Sequence, residues 1–346
     1  MNKIIFNIII LYSVTMIIKA QQDTLIYDSS TGNYIIQYMR ENLETGERDS
    51  LVTEIFVPAT KIEPSVRAWV DFKKDSSMYI YNYEIENGIK SKQNLIVFRI
   101  QFGKKVDVME KSTQKWLGRK RQGFDDKHEY MNRIWSWYGN QGLEPGWKKG
   151  GFALGSNGIP GIGAAYFQGL APILSYRHGP PPEHLEKEIA KLEVFPSNHV
   201  KRTTVVPVSL PVPFNTEALI DTLISYTQQS GDIGWLGKDP RREGRDEDCD
   251  EDEKPEDGIV KNIIKRLERA KILIEKEDSL KAKKELEKLL SKIEKIWKRS
   301  QEEEKRGKKG VRMSSEAYAL LKYNTEYLVE KLPDKVKKIR KEEKNK

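Results

Sequence analysis

Three stretches of the chain carry residue types whose spacing could do chemistry. The first runs Gly155-Ser-Asn-Gly-Ile-Pro-Gly-Ile-Gly-Ala-Ala-Tyr-Phe-Gln-Gly169. A dinucleotide cradle needs G-x-G-x-x-G between a strand and a helix, so that the glycines admit a pyrophosphate to the helix N-terminus. Here Tyr166 stands where the third glycine belongs, no helical period follows, and Gly161 is not trailed by Lys-Ser or Lys-Thr. The stretch reads as turn glycines leading into a strand, Ala164–Gln168. A nucleotide cofactor is not expected, and neither is any other.

The second is the acidic run from Asp246 to Asp257. Asp246, Asp248, Asp250 and Asp252 fall at the odd positions of a calcium loop, and Asp257 falls at the twelfth. Glu251 occupies the position where such a loop turns on glycine, and Pro255 lies inside it. These aspartates are weak metal candidates, and so many neighbouring carboxylates repel one another, which predicts a solvated loop over 239–257. Cys249, the single cysteine, excludes an internal disulfide, and the carboxylates around it oppose a reactive thiolate. His128, His178, His184 and His199 show no metal-ligand spacing.

The third is aromatic: Trp135-Ser-Trp-Tyr-Gly-Asn-Gln-Gly142, followed by Trp147. Trp135 and Trp137 fall on one face of a strand. Paired indoles with Tyr138, Asn140 and Trp147 nearby would suit stacking on a sugar ring, whereas the same residues would equally fill a core. These five are the candidate ligand-binding residues. No catalytic residue is assigned, although a pair of carboxylates, as in a glycosidase, leaves no local signature.

The elements that must position these residues follow from period. Tyr34–Met39, Val66–Phe72, Met78–Ile85 and Asn94–Phe102 alternate apolar with polar and are punctuated by Thr45-Gly46, Lys74–Ser77 and Asn87-Gly88, which predicts half-buried strands of a sandwich or barrel. A short helix is expected from Pro182 to about Leu192. The prolines of Val205–Phe214 mark an edge or linker. Beyond them the period changes to about 3.6, in stripes behind the cap candidates Asn215, Asp257, Asp278 and Ser314. None of these amphipathic helices buries its stripe alone, so a small antiparallel bundle is expected.

The run Ser314-Ser-Glu-Ala-Tyr-Ala-Leu-Leu-Lys-Tyr-Asn-Thr-Glu-Tyr-Leu328, with Leu219–Tyr226 and the helix from Ala282, resembles the helical modules of FIVAR or FIMAH type found in secreted bacterial proteins. The β-half, through VPATKIEPSVRAWVDF and IPGIGAAYFQG, resembles uncharacterised secreted bacterial proteins with an immunoglobulin-like sandwich. The resemblance implies an extracytoplasmic, non-catalytic role.

Residues 1–20 place Lys3 ahead of an apolar run, Ile4–Ile18, and a small Ala20, the order of a secretory signal peptide; an uncleaved anchor is the alternative. No comparable run follows, so no transmembrane segment is expected in the mature chain. The organisation expected is a signal peptide over 1–20, an immunoglobulin-like β-sandwich over 21–208, a linker over 209–215, a helical bundle over 216–332 and a basic tail over 333–346. The net charge of +8 is concentrated in the helical half, densest at Lys305–Arg312. It lacks the interleaved aromatics of a nucleic-acid surface and suits soluble helix faces or an anionic envelope surface. The function expected is a secreted or periplasmic binding or adhesion module for glycan or another envelope polymer. An exported hydrolase or a structural part of an envelope assembly is the alternative.

Overall fold

The computed structural model describes residues 23–42, 45–46, 48–103, 108–111, 116–124, 129–137, 141–174, 176, 179–210, 212–237, 257–307 and 313–333. The apolar run at the N-terminus, most of the acidic loop with its four candidate aspartates, and the basic tail lie outside them. The strands described are β1 (Thr24–Asp28), β2 (Asn33–Glu41), β3 (Arg48–Phe56), β4 (Pro64–Lys73), β5 (Met78–Asn87), β6 (Leu95–Gly103), β7 (Val108–Lys111), β8 (Trp116–Phe124), β9 (Glu129–Trp137), β10 (Lys148–Ser156), β11 (Ile159–Gly169) and β12 (Val200–Val208). The helices are α1 (Glu183–Glu193), α2 (Thr216–Asp232), α3 (Asp257–Glu275), α4 (Ser279–Lys305) and α5 (Ser315–Lys331). Antiparallel β content followed by helices is therefore the architecture, as the change of period predicts. Among the described residues no helix is long and apolar enough to cross a membrane.

The strands form three sheets, ordered β1-β2-β3, β4-β5-β10-β7 and β12-β11-β6-β9-β8. The second and third share one core, in which Tyr81, Tyr83, Phe152 and Leu154 meet Phe98, Ile100, Trp135 and Phe167. Alternation creates it: in β5 the inward residues Tyr81, Tyr83 and Ile85 are fully buried while Asn82, Glu84 and Glu86 are only half-buried. Each large side chain so buried contributes about 1.5–3 kcal/mol. The phenols also satisfy backbone across the core, Tyr81 Oη donating to Gly158 O at 2.7 Å and Tyr83 Oη to Val205 O at 3.0 Å.

The first sheet is a separate layer. It packs Ile36, Tyr38, Val52 and Phe56 against Leu185 and Ile189 of α1. Tyr38 Oη donates to Gly179 O at 2.7 Å, which fixes the chain entering that helix. The stretch 21–208, expected as one sandwich, thus holds two apolar clusters, because β1–β3 turn their buried face to α1 and not to the larger core.

Three of the helices begin where the caps predict, while Asp257 is itself the first residue of α3. Asn215 Oδ1 accepts from Ala218 N, Asp278 Oδ1 from Lys281 N and Ser314 Oγ from Ala317 N, each supplying an acceptor for an amide that the helix leaves unpaired. Leu219, Leu223, Ile263, Leu267, Leu286 and Leu321 belong to their common core.

Two expectations need correction. The core does not divide at the linker: Ala319, Leu320 and Tyr323 of α5 are part of the β core, while Ala317, Leu321 and Leu328 of the same helix belong to the helical one. Helix α5 buries more than one face, with the polar Glu316, Asn324 and Thr325 buried alongside its apolar residues, while Lys322, Glu326 and Glu330 keep one side toward solvent. It lies at the open edge of β4, where Glu316 Oε1 accepts from Ala68 N at 2.6 Å and Tyr323 Oη donates to Val70 O at 2.9 Å. Asn324 Nδ2 donates to Pro160 O on β11, and Arg202 Nε of β12 to Pro64 O on β4.

The second correction concerns the glycines. Gly161 and Gly163 lie within β11 and not in a turn before it. A Cβ at Gly161 would stand 2.5 Å from Val208 Cγ1 and 2.8 Å from the Tyr226 hydroxyl. Glycine here admits α2 against the sheet, and no phosphate is needed to explain it.

Candidate functional site

The tryptophans separate. Trp135 is 0 % exposed, stacked on Phe98 at 5.1 Å and 13° and set edge-on to Phe152 at 5.6 Å. An indole enclosed in this way offers no face to a ligand, so Trp135 leaves the candidate set. Trp137 shares its face, as alternation predicts, and is half-buried against the same cluster. Trp147 is 63 % exposed. Tyr138 and Asn140 lie outside the described residues.

His199 is held among other side chains and is half-buried. Its ring packs edge-on to Phe195 at 5.2 Å, and the Arg99 guanidinium lies 4.2 Å from the centre of the same phenyl ring. Burial, then the Arg99 charge, pulls its pKa down from 6.5 to about 3. Unfolding exposes an ordinary imidazole that binds a proton more readily, so this group leaves stability untouched above its unfolded pKa and lowers it as pH falls toward the folded value. The stability difference between the natural protein and His199→Leu should shift by about 2 kcal/mol against the histidine between pH of about 8 and 5. Urea titrations of both at each pH measure it, and parallel pH profiles would contradict it.

A groove with aromatic and polar lining lies elsewhere, where β4 and β5 meet α4 and α5. It encloses about 570 Å³, within the range of small-ligand sites. On β4, Val66, Ala68, Val70 and Phe72 share one side of the strand, which turns Arg67, Trp69 and Asp71 to the other. Trp69 is 37 % exposed. Across the groove, Trp297 of α4 is stacked on Tyr318 of α5 at 4.7 Å and 13°, so its plane is fixed before any ligand arrives.

Polar groups surround these planes. Asn82 Nδ2 donates to Asp71 Oδ2 at 3.0 Å, and Glu84 sits opposite Arg67 in register. Arg67 also faces Glu304 at 3.5 Å, a half-exposed pair of little energetic weight. Lys322 lies 5.3 Å from the centre of the Tyr318 ring and 3.9 Å from Glu326. Burial is the largest influence on this lysine and opposes its charge. The hydrogen bond to the Tyr318 hydroxyl, together with Glu326, outweighs it and holds the ammonium above the ordinary lysine range. Among the described residues no group of three or more His, Cys, Asp or Glu side chains is placed to hold a metal ion.

Trp69, Trp297 and Tyr318, which line this groove, are not among the candidates that the sequence offers. The signal for Trp69 was present: in Val66-Arg-Ala-Trp-Val-Asp-Phe72 it falls out of phase with the inward positions. Trp297 gives no such signal, because it closes an apolar stripe like any core residue.

No family model matches the chain, and no curated protein matches it. Among solved structures it is similar to an uncharacterized protein from Nocardia farcinica described as having an immunoglobulin-like fold. That match has 12 % identity, covers 42 % of this chain and 97 % of the other, and has a TM-score of 0.25. So slight a likeness carries no argument about this fold.

Proposed function

We propose that the protein is a non-catalytic, extracytoplasmic binding module whose ligand is a glycan held in the groove between β4 and the α4–α5 pair. In this reading the two sheets sharing a core are an immunoglobulin-like β-sandwich, the helices are a bundle of FIVAR or FIMAH type, and the N-terminal apolar run directs export. The observation that carries it is the pairing of an outward Trp69 with a Trp297 whose plane is fixed by Tyr318. Sugars present apolar C–H faces that stack on such planes, and hydroxyls that bond to planar polar groups such as Arg67, Asp71, Asn82 and Glu84.

Trp69→Ala should weaken retention on an insoluble polysaccharide about tenfold, the order expected for losing one aromatic platform, with a nearly unchanged melting temperature. Retention equal to that of the natural protein would sink the assignment. The same columns test the alternative class: Asp71 and Glu84 line the groove, and release of reducing ends from bound polysaccharide would make the protein a hydrolase.

A further inference from the structure

We propose that two loops, 88–94 and 141–147, which meet where β5 ends and β6 and β10 begin, form a tip that docks on an anionic lipid surface through Ile89 and Trp147. The inference is independent of the glycan reading, whose groove contains neither residue.

Ile89 is 83 % exposed and Trp147 63 %. Single exposed apolar residues are ordinary, but these two are neighbours held in a paired frame. Trp147 O accepts from Asn87 N at 3.0 Å, and Gly146 N donates to Asn87 O at 2.6 Å. A Cβ at Gly146 would stand 3.8 Å from Ile89 Cγ1, so Ile89 lies against the residue next to Trp147. Gly146 has a φ of +83°, a conformation that turns the loop here and favours glycine. Asn87 is fully buried, and its Nδ2 donates to Gln93 O and to Leu143 O, both at 2.9 Å, which ties one loop to the other. Leu95 and Leu143 exchange backbone hydrogen bonds, Gly88 N donates to Glu63 O at 2.9 Å, and Ser91 Oγ accepts from Glu63 N at 2.7 Å. Two apolar groups are therefore presented to solvent by loops whose backbone is tied down.

The residue types around them select the partner. Lys90, Lys92 and Lys148 are exposed and Lys149 is half-exposed; the carboxylates are Glu86, Glu144 and, on the adjoining segment, Glu63, with Lys61 near it. Glu86 lies 3.0 Å from Lys148, an exposed pair that holds neither group strongly. Lysines thus outnumber carboxylates at the tip. A protein interface depletes Lys and Glu from its centre and takes about 20–30 residues a side, which two apolar side chains in the company of lysines do not match. A lipid surface suits the same set. An indole settles at the level of the headgroups, lysine stems lie along the apolar layer, and their ammonium groups attract anionic headgroups.

The full chain can be tested on vesicles of phosphatidylcholine alone and of phosphatidylcholine mixed with phosphatidylglycerol, at low and high salt. The natural protein should sediment with the mixed vesicles about tenfold better than with the neutral ones, and less so at high salt. Trp147→Ala and Ile89→Ser should each weaken partition about tenfold with an unchanged melting temperature, since neither side chain is buried in the fold. Joint Lys90→Gln and Lys92→Gln replacement should remove most of the preference for phosphatidylglycerol. Brominated acyl chains in the mixed vesicles should quench part of the tryptophan emission of the natural protein, and that part should vanish in Trp147→Phe, which still sediments. Retention on polysaccharide should be the same in all these variants, so the glycan reading stands or falls separately. Unchanged partition of the Ile89→Ser, Trp147→Ala double variant would place the lipid affinity elsewhere in the chain and overturn the proposal. Failure to sediment with either vesicle would overturn it too, and a dimer dispersed by Trp147→Ala would assign the tip to a protein partner instead.

Discussion

Trp135→Ala should destabilise the protein by about 3–5 kcal/mol, the cost of emptying a large aromatic site that its neighbours cannot collapse into. The indole is stacked on Phe98, set edge-on to Phe152 and 6.4 Å from the ring of Tyr83, so its removal takes the centre from an aromatic cluster. Trp135→Phe should cost clearly less. It keeps a ring in the stack and removes Nε1, a buried donor with no hydrogen-bond partner among the described residues. Denaturant titrations of the two variants check this, and retention on polysaccharide per folded molecule should be unchanged in both. If Trp135→Ala melts like the natural protein yet loses retention, the indole is a ligand platform and the groove at Trp69 is not the site.

Ending the chain after Leu210, within the expected linker, should abolish cooperative unfolding altogether. The truncation removes Ala319, Leu320 and Tyr323 from the β core and leaves Ala68 N and Val70 O without Glu316 and Tyr323. Each large side chain lost from that core forfeits about 1.5–3 kcal/mol of burial, and net stabilities of whole domains are only about 5–15 kcal/mol. Glu316→Ala in the full chain is the finer measurement: a loss of about 1–3 kcal/mol, smaller for Glu316→Gln, which keeps an acceptor in place. A sharp melting transition in the truncated chain would show that the β-half folds without α5.

Local chemistry was readable in the sequence; long-range partnership was not. Asn215, Asp278 and Ser314 announce helix starts because a cap acts on an amide three residues away. The alternation from Val66 to Phe72 announces a strand because its period is a property of that strand alone. That Trp135 and Trp137 share a face follows from the same period, but which face meets another sheet depends on β5, β6 and β10 arriving from elsewhere in the chain. The groove has the same limitation, since Trp69 and Trp297 are brought together only by packing α4 and α5 against β4. Helix α5 was legible only in part: Ala317, Leu321 and Leu328 mark the stripe that meets the other helices, whereas the polar Glu316 and Asn324 beside Leu320 and Tyr323 gave no sign that a second face is buried against the strands.

The position of α5 has a consequence for how the protein keeps apart from its own copies. The terminal strand of a sheet presents unpaired N–H and C=O groups to which a strand of another molecule can add, and this is a common start to aggregation. On β4 two of these groups are already taken, by a carboxylate and a phenol on the helix. The helix also occupies the space that an added strand would need. Any event that lifts α5 would therefore uncover, together with the apolar core beneath it, an adhesive margin on which chains could stack.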